Sequence, residues 1–434
     1  MSLALPVPWR PALAALSVLS LATAGGAAMV FFAQVLLARH FGPAQYGLFA
    51  SSLATVSLIA PLAGFGLSQF RLKAHGAEGW SAERWQPAST RFIAVTSALA
   101  VGGIVAWALA GPPVDAQTRH MLLVLAPFIL GLLAVEQIGS KLRLEERHAA
   151  LAGWQLLMPA GRLAIALLAV AGLSMSIHAV AWGHAMLAIV AWALALPQWQ
   201  AMHRCEWSLK GHGPRDATLA RDIAPPDARA LFRLAWPYGV AAVLYPVFFQ
   251  IGTVLLKYLR GDAEAGVFGI ALAVMTAIYL FPATVYQKFL LARLHRWAVH
   301  DRARFRQVYR AGCVGMLASG LLVGAVLAAV SGEAVRVFGE RYAGLQPLLM
   351  LLAVCVPVRF VSTAVGAVLL TEGQMAYRVG AMLAAAIAAA LLNLLLIPAH
   401  GAMGAAFATL GAEVLLLLAM YHGARRAAVL RGVP

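Results

Sequence analysis

The chain has 434 residues, 62% of them hydrophobic and 12% charged. That charged share is about half that of a soluble globular protein and excludes a water-soluble enzyme as the bulk of the molecule. The net charge of +16 rests on 33 Lys and Arg, and their positions decide whether it speaks for nucleic acid or for a membrane surface. Cys205, Cys313 and Cys355 are far apart, with neither disulfide-framework nor metal-ligand spacing.

A membrane crossing needs about 20 apolar residues. The first apolar run, 11–38, follows a head carrying only Arg10 and is longer than the apolar core of a secretory signal, so it reads as a retained span. Further runs bounded by charge or Gly/Pro clusters lie at 46–70, 92–110, 121–140, 150–173, 178–200, 232–257, 266–287, 311–330, 346–370, 379–398 and 403–421. The expectation is an all-α polytopic membrane protein of twelve transmembrane helices with both termini on one side. The longest polar stretch, 201–231 with Ala224-Pro225-Pro226, divides the spans six and six. It reads as a cytoplasmic linker between an N-terminal bundle, 1–200, and a C-terminal bundle, 232–434.

With the N-terminus in the cytoplasm, only Arg39, Arg119, Lys257, Arg260, Arg336 and Arg341 fall on the far side, Arg162 and Arg359 lie within spans, and the other 25 basic residues are cytoplasmic. The positive-inside rule therefore orients the chain with both termini cytoplasmic. Basic loops beside an anionic leaflet explain the charge, so anionic phospholipid is the expected partner and nucleic acid is not.

Shifting the sequence by 219 residues lays 36–54 on 255–273 without a gap, with eight of nineteen positions identical, among them Gly42/Gly261, Gly47/Gly266 and Phe49/Phe268. Each segment is the turn between the first and second span of its half. Six spans per half make the repeat parallel, about an axis along the membrane normal, as in secondary transporters that hold substrate between their halves.

The segment Arg39-His40-Phe41-Gly42-Pro43-Ala44-Gln45-Tyr46-Gly47, the run Gly64-Phe65-Gly66-Leu67 before Arg71, Phe338-Gly339-Glu340-Arg341-Tyr342 and Ile397-Pro398-Ala399-His400-Gly401 together resemble the polysaccharide-transporter and O-antigen-flippase family of the multidrug/oligosaccharidyl-lipid/polysaccharide superfamily. The resemblance implies two six-helix bundles in a V and a location in the bacterial inner membrane. It also implies a substrate in which an undecaprenyl pyrophosphate carrier bears a sugar repeat unit, and polysaccharide-assembly proteins as partners.

No GxxxxGK[ST] motif is present, so ATP is not the direct energy source, and no cofactor is expected. His295 and His300 do not share a helix face as an i, i+4 pair would, so no metal site is expected. Ionisable groups inside spans are rare and costly and mark candidate sites. Arg162 and Arg359 are mid-span, and a guanidinium stays charged and grips phosphate oxygens bidentately, so both are candidate pyrophosphate ligands. Alternatively each pairs with an acid of its own bundle, Glu136 with Arg162 and Glu413 with Arg359. Lys257 and Lys288 are candidate ligands or snorkelling anchors. Gln34, Gln250 and Asn393 offer hydrogen bonds to sugars or between helices. The basic stretch Lys288–Arg310 is either a lipid anchor or an entrance ramp for pyrophosphate headgroups. Gly320-Leu-Leu-Val-Gly324 reads as intrachain packing.

Two other functions compete. A cation- or proton-coupled drug antiporter of the same superfamily needs an embedded acid in spans 1, 2, 7 or 8, which contain none. A polymerase or glycosyltransferase needs a sizeable extracytoplasmic loop, and those connections are all short.

Overall fold

The structure, a computed structural model, describes residues 9–111, 115–171, 175–206, 208–210, 226–284, 286, 294, 297, 301–371 and 374–426, and their regular structure is entirely helical. In hydrocarbon every backbone N–H and C=O needs a partner within the chain, and long apolar segments meet that need as helices. Among the described residues nine helical stretches are long and apolar enough to cross a membrane. Two of them, Ser17–Ala110 with 94 residues and Met375–Arg426 with 52, exceed a single crossing. The chain is a polytopic membrane protein.

In chain order the helices are α1 (Trp9–Ile59), α2 (Pro61–Gly64), α3 (Leu67–Glu78), α4 (Gln86–Ala110), α5 (Ala116–Leu125), α6 (Phe128–Leu144), α7 (His148–Val170) and α8 (Ile177–His203). After the linker come α9 (Ala228–Arg260), α10 (Asp262–Ala283), α11 (Arg302–Val330), α12 (Glu333–Phe338), α13 (Leu345–Ala353), α14 (Cys355–Thr371) and α15 (Met375–Arg426). Asp115, Ser176, Asp227 and Asp301 each accept a hydrogen bond from a backbone N–H three residues on and so cap α5, α8, α9 and α11.

The span boundaries differ from those expected in instructive ways. Spans 1 and 2 are joined into α1, with Gly42 alone leaving helical geometry (φ 75°, ψ 173°), and spans 11 and 12 are joined into α15 across Gly401 (φ 54°, ψ −135°). Gly261, the repeat partner of Gly42, divides α9 from α10 with nearly the same backbone (φ 98°, ψ 179°), a region that favours glycine. Spans 2, 4 and 10 are instead broken inside. Span 2 breaks where Phe65 and Gly66 adopt left-handed conformations between α2 and α3, span 4 at Ala126-Pro127, and span 10 at Val354. The stretch Arg302–Arg310, expected as loop, forms the first turns of α11.

α1 packs against α7 on one side and α10 on the other, and also against α9, so it joins the N-terminal helices to the C-terminal ones. Among the latter, α9 packs on α15, and α14 sits between α11 and α15. A Cβ on Gly320 or Gly324 would run into the backbone of Pro357 or Ala353. This pair packs within the chain, as expected.

Contacts between the N- and C-terminal helices cluster at two ends. At the end carrying Gly42, the Tyr342 hydroxyl donates to the Ala38 carbonyl at 3.1 Å, the Trp107 indole donates to Tyr258 Oη at 2.8 Å, and Lys257 Nζ lies 3.5 Å from Asp115 and 2.5 Å from Asp262. At the end carrying the Phe65 break, Phe65 stacks on Phe232 with ring centroids 5.9 Å apart and Lys73 Nζ sits 5.7 Å above the Tyr238 ring.

Candidate functional site

Between these two ends lies a cavity of about 670 Å³. Its walls are α1 and α7 from the N-terminal helices and α9 and α10 from the C-terminal helices, with Arg143 reaching in from the end of α6. Gln34 and Tyr46, on either side of the Gly42 kink, face it, and the Tyr46 hydroxyl donates to Gln34 Oε1 at 3.4 Å. Gln155, Arg162, Gln250, Thr253 and Thr276 complete most of its polar lining, and among the described residues no Asp or Glu lines it.

Arg162 projects from the middle of α7, one turn beyond Pro159, which also lines the cavity. Its Nε is buried without a hydrogen-bond partner, and its side chain makes no ion pair with any described acid. The alternative reading, a pairing with Glu136, is therefore absent from the structure. Glu136, on α6, instead accepts a hydrogen bond from Ser68 on α3 and lies beside Gly64 of α2. The same part of α6 contributes Gln137 and Ser140, which take hydrogen bonds from Arg71 at 2.9 and 3.0 Å. Glu136 thus belongs to a buried polar network bracing the broken second span rather than to the cavity.

A second cavity, of about 370 Å³, lies among the C-terminal helices α9, α10, α14 and α15. Gln250 and Thr276 line both cavities. Arg359 and Arg378 face the second one. Arg359 pairs with Glu413, the second of the two alternatives left open by the sequence, at 3.4 Å, with Glu413 wholly buried and its Oε2 without a partner. The Arg359 guanidinium also sits 4.8 Å from the Phe249 ring centroid and 5.5 Å from that of Tyr279, contacts that fix its plane through cation–π attraction.

The remaining sequence candidates lie elsewhere. Lys257 lines neither cavity; its ammonium is held between Asp115 and Asp262 and is only 7% exposed. Asn393 is buried against Gly252 of α9 and donates to the Ala389 carbonyl at 2.6 Å, so it serves helix packing. Lys288, with His295 and His300, lies outside the described residues. The neutral polar cavity residues that sequence reasoning missed include Gln155, Thr253, Thr276, Ser362 and Thr363, and the charged ones are Arg143 and Arg378, both of which fall among the cytoplasmic loop cations. Their helices continue beyond the apolar runs and turn them inward; the available signal was that each lies within two turns of a span.

The family model described as polysaccharide biosynthesis protein matches residues 12–288. Solved structures share the fold at low identity. The lipid II flippase MurJ in an inward closed conformation is 13% identical, with TM-score 0.69 over 93% of this chain and 87% of that one. An inward-facing multidrug resistance MATE family transporter of the MOP superfamily is 14% identical, with TM-score 0.69 over 93% and 95%. The MATE multidrug transporter DinF-BH is 16% identical, with TM-score 0.67 over 96% of both. All three are described as flippases or transporters and none as an enzyme. No curated protein matches the chain in sequence.

Proposed function

The chain belongs to the polysaccharide biosynthesis protein family, and on that premise we propose that it is a flippase carrying an undecaprenyl-pyrophosphate-linked oligosaccharide across the bacterial inner membrane. The observation that carries this reading is the larger cavity, lined by Arg143 and Arg162 and, among the described residues, by no acid. A pyrophosphate diester bears two negative charges, which two guanidiniums match. Because Arg162 pairs with no described carboxylate, binding the ligand breaks no ion pair among the described residues. Guanidiniums in a site of low dielectric hold phosphate oxygens by charge-assisted, bidentate hydrogen bonds. Gln34, Gln155 and Gln250 add donors and acceptors suited to sugar hydroxyls.

The mechanism is alternating access. The N- and C-terminal six-helix bundles, twelve spans in all, rock about the cavity between them. The cluster around Lys257 forms the extracytoplasmic closure and the Phe65–Phe232 contact the cytoplasmic one. Both termini lie in the cytoplasm, anionic phospholipid holds the basic loops, and the exported unit passes to polysaccharide-assembly proteins. The antiporter alternative has the MATE structures on its side for fold alone, and among the described residues it lacks an acid facing the larger cavity. Deleting the gene should strand glycan-bearing carrier on the cytoplasmic face and remove the surface polysaccharide, with drug tolerance unchanged. Lost drug tolerance beside intact surface polysaccharide would assign the antiporter instead.

A further inference from the structure

The second cavity is not needed to hold a pyrophosphate, and its charges differ in kind from those of the first. Arg359 and Arg378 bring two positive charges, and the buried Glu413, 3.4 Å from Arg359, removes one. Among the described residues one positive charge is left over. It is centred on Arg378, whose side chain makes no hydrogen bond or ion pair with any described residue and whose Nε is buried without a partner. A buried, unsatisfied guanidinium N–H costs free energy unless an acceptor arrives. A monoanion restores neutrality, whereas a pyrophosphate dianion would overshoot it beside Glu413.

The rest of the lining describes what carries that monoanion. Ser362 and Thr363 offer hydroxyls beside the arginines, and the Phe248 and Tyr279 rings form an apolar wall. Carboxylate, hydroxyls and a ring face together are the chemistry of an acidic sugar. Gln250 and Thr276 line both cavities, so one extended ligand can place its diphosphate against Arg162 and a sugar carboxylate against Arg378.

From this the geometry points to a second subsite, in the cavity of Arg359 and Arg378, for a carboxylate-bearing sugar of the transported glycan, so that the substrate is an acidic oligosaccharide. The inference rests on the flippase reading for the identity of the ligand. The subsite itself is tested without transport.

The test is binding to the purified full-length protein in nanodiscs, using methyl glucuronide, methyl glucoside and inorganic pyrophosphate as separate probes. Wild type should bind the glucuronide about tenfold more tightly than the glucoside, the worth of one charge-assisted hydrogen bond. Arg378→Gln should abolish that preference and leave pyrophosphate affinity unchanged, while Arg162→Gln should do the opposite. Arg378→Lys, which keeps the charge and guards against a folding defect, should retain part of the preference. Equal binding of the two sugars by wild type, or an unaltered preference in Arg378→Gln, would overturn the subsite. Loss of pyrophosphate binding in Arg378→Gln equal to that in Arg162→Gln would also overturn it, making the two cavities one phosphate site. Unaltered pyrophosphate binding in Arg162→Gln would sink the flippase reading of the larger cavity and leave the carboxylate subsite standing.

Discussion

Gly47 and Gly266, equivalent positions of the internal repeat, make the same contact with each other's helix. A Cβ on Gly47 would overlap the Asp262 carbonyl, and a Cβ on Gly266 would overlap the Pro43 carbonyl, Pro43 being the repeat equivalent of Asp262. α1 and α10 therefore meet backbone to backbone about a local two-fold axis, with no room for a methyl group on either. Close approach of this kind is what small residues permit between membrane helices.

Gly47→Ala and Gly266→Ala should each lower the melting temperature of the detergent-solubilised protein, at a cost of about 1–3 kcal/mol for overpacking against unyielding backbone. Gly315→Ala, with nothing within 4 Å of the added methyl, should be neutral or slightly stabilising. Equal behaviour of all three variants would mean that the α1–α10 contact is not tight in solution.

The salt bridge between Asp115 and Lys257 ties the N-terminal helices to the C-terminal ones at the Gly42 end. Partial burial pushes the Asp115 carboxyl up, but hydrogen bonds from the Thr118 hydroxyl and amide and the nearby Lys257 ammonium outweigh it and hold the group below the ordinary carboxylate range. A depressed carboxylate contributes its tie above its ordinary pKa of about 3.9 and loses it as pH falls through the lower folded value. Spin labels placed across this end should therefore report a more open population below about pH 4, and Asp115→Asn should show that population already at neutral pH. Distances insensitive to both changes would remove the bridge from the closure.

Arg359→Ala should reduce the amount of folded protein, because it leaves the wholly buried Glu413 without its partner, at a cost of about 3–5 kcal/mol. Adding Glu413→Ala should restore most of it, as read by size-exclusion fluorescence of a tagged chain. If the double variant is as poor as the single one, Arg359 contributes more through its stack on Phe249 and Tyr279 than through its charge.

A reporter active only in the cytoplasm should be active when fused after Arg204 or Arg302 and silent after Gly111 or Gly339. The inverse pattern would turn the chain over and put its basic loops outside.

The sequence disclosed the features that depend on local chemistry. Glycines repeated in a polar turn marked Gly42 and Gly261, whose backbones prove nearly identical. Lone charges in apolar runs marked Arg162 and Arg359, which do face cavities. Glu413 was legible as a partner for Arg359 because the two are the mid-span charges of their half. What stayed hidden depends on packing between distant segments. Lys257 looked like a lone terminal lysine, and only the fold brings Asp115 to it. Phe65 takes a left-handed conformation that a phenylalanine does not choose locally, and it is held there against Phe232 and beneath Gly239. Arg143 and Arg378 looked like loop cations because hydropathy ends before their helices do. Glu136 and Arg162 are intramembrane charges of one bundle and so invite pairing, yet α6 turns Glu136 toward Ser68.

The most direct measurement is translocation in proteoliposomes of a fluorescent polyprenyl-pyrophosphate-linked oligosaccharide by wild type and by Arg162→Lys, with folding of both checked by melting temperature. Wild type should move the lipid, and Arg162→Lys should be slower by roughly 10–100-fold at unchanged stability, because a point charge cannot reproduce the guanidinium's paired hydrogen bonds. No translocation by wild type, or equal rates for the two proteins, would contradict the assignment of the larger cavity to the pyrophosphate.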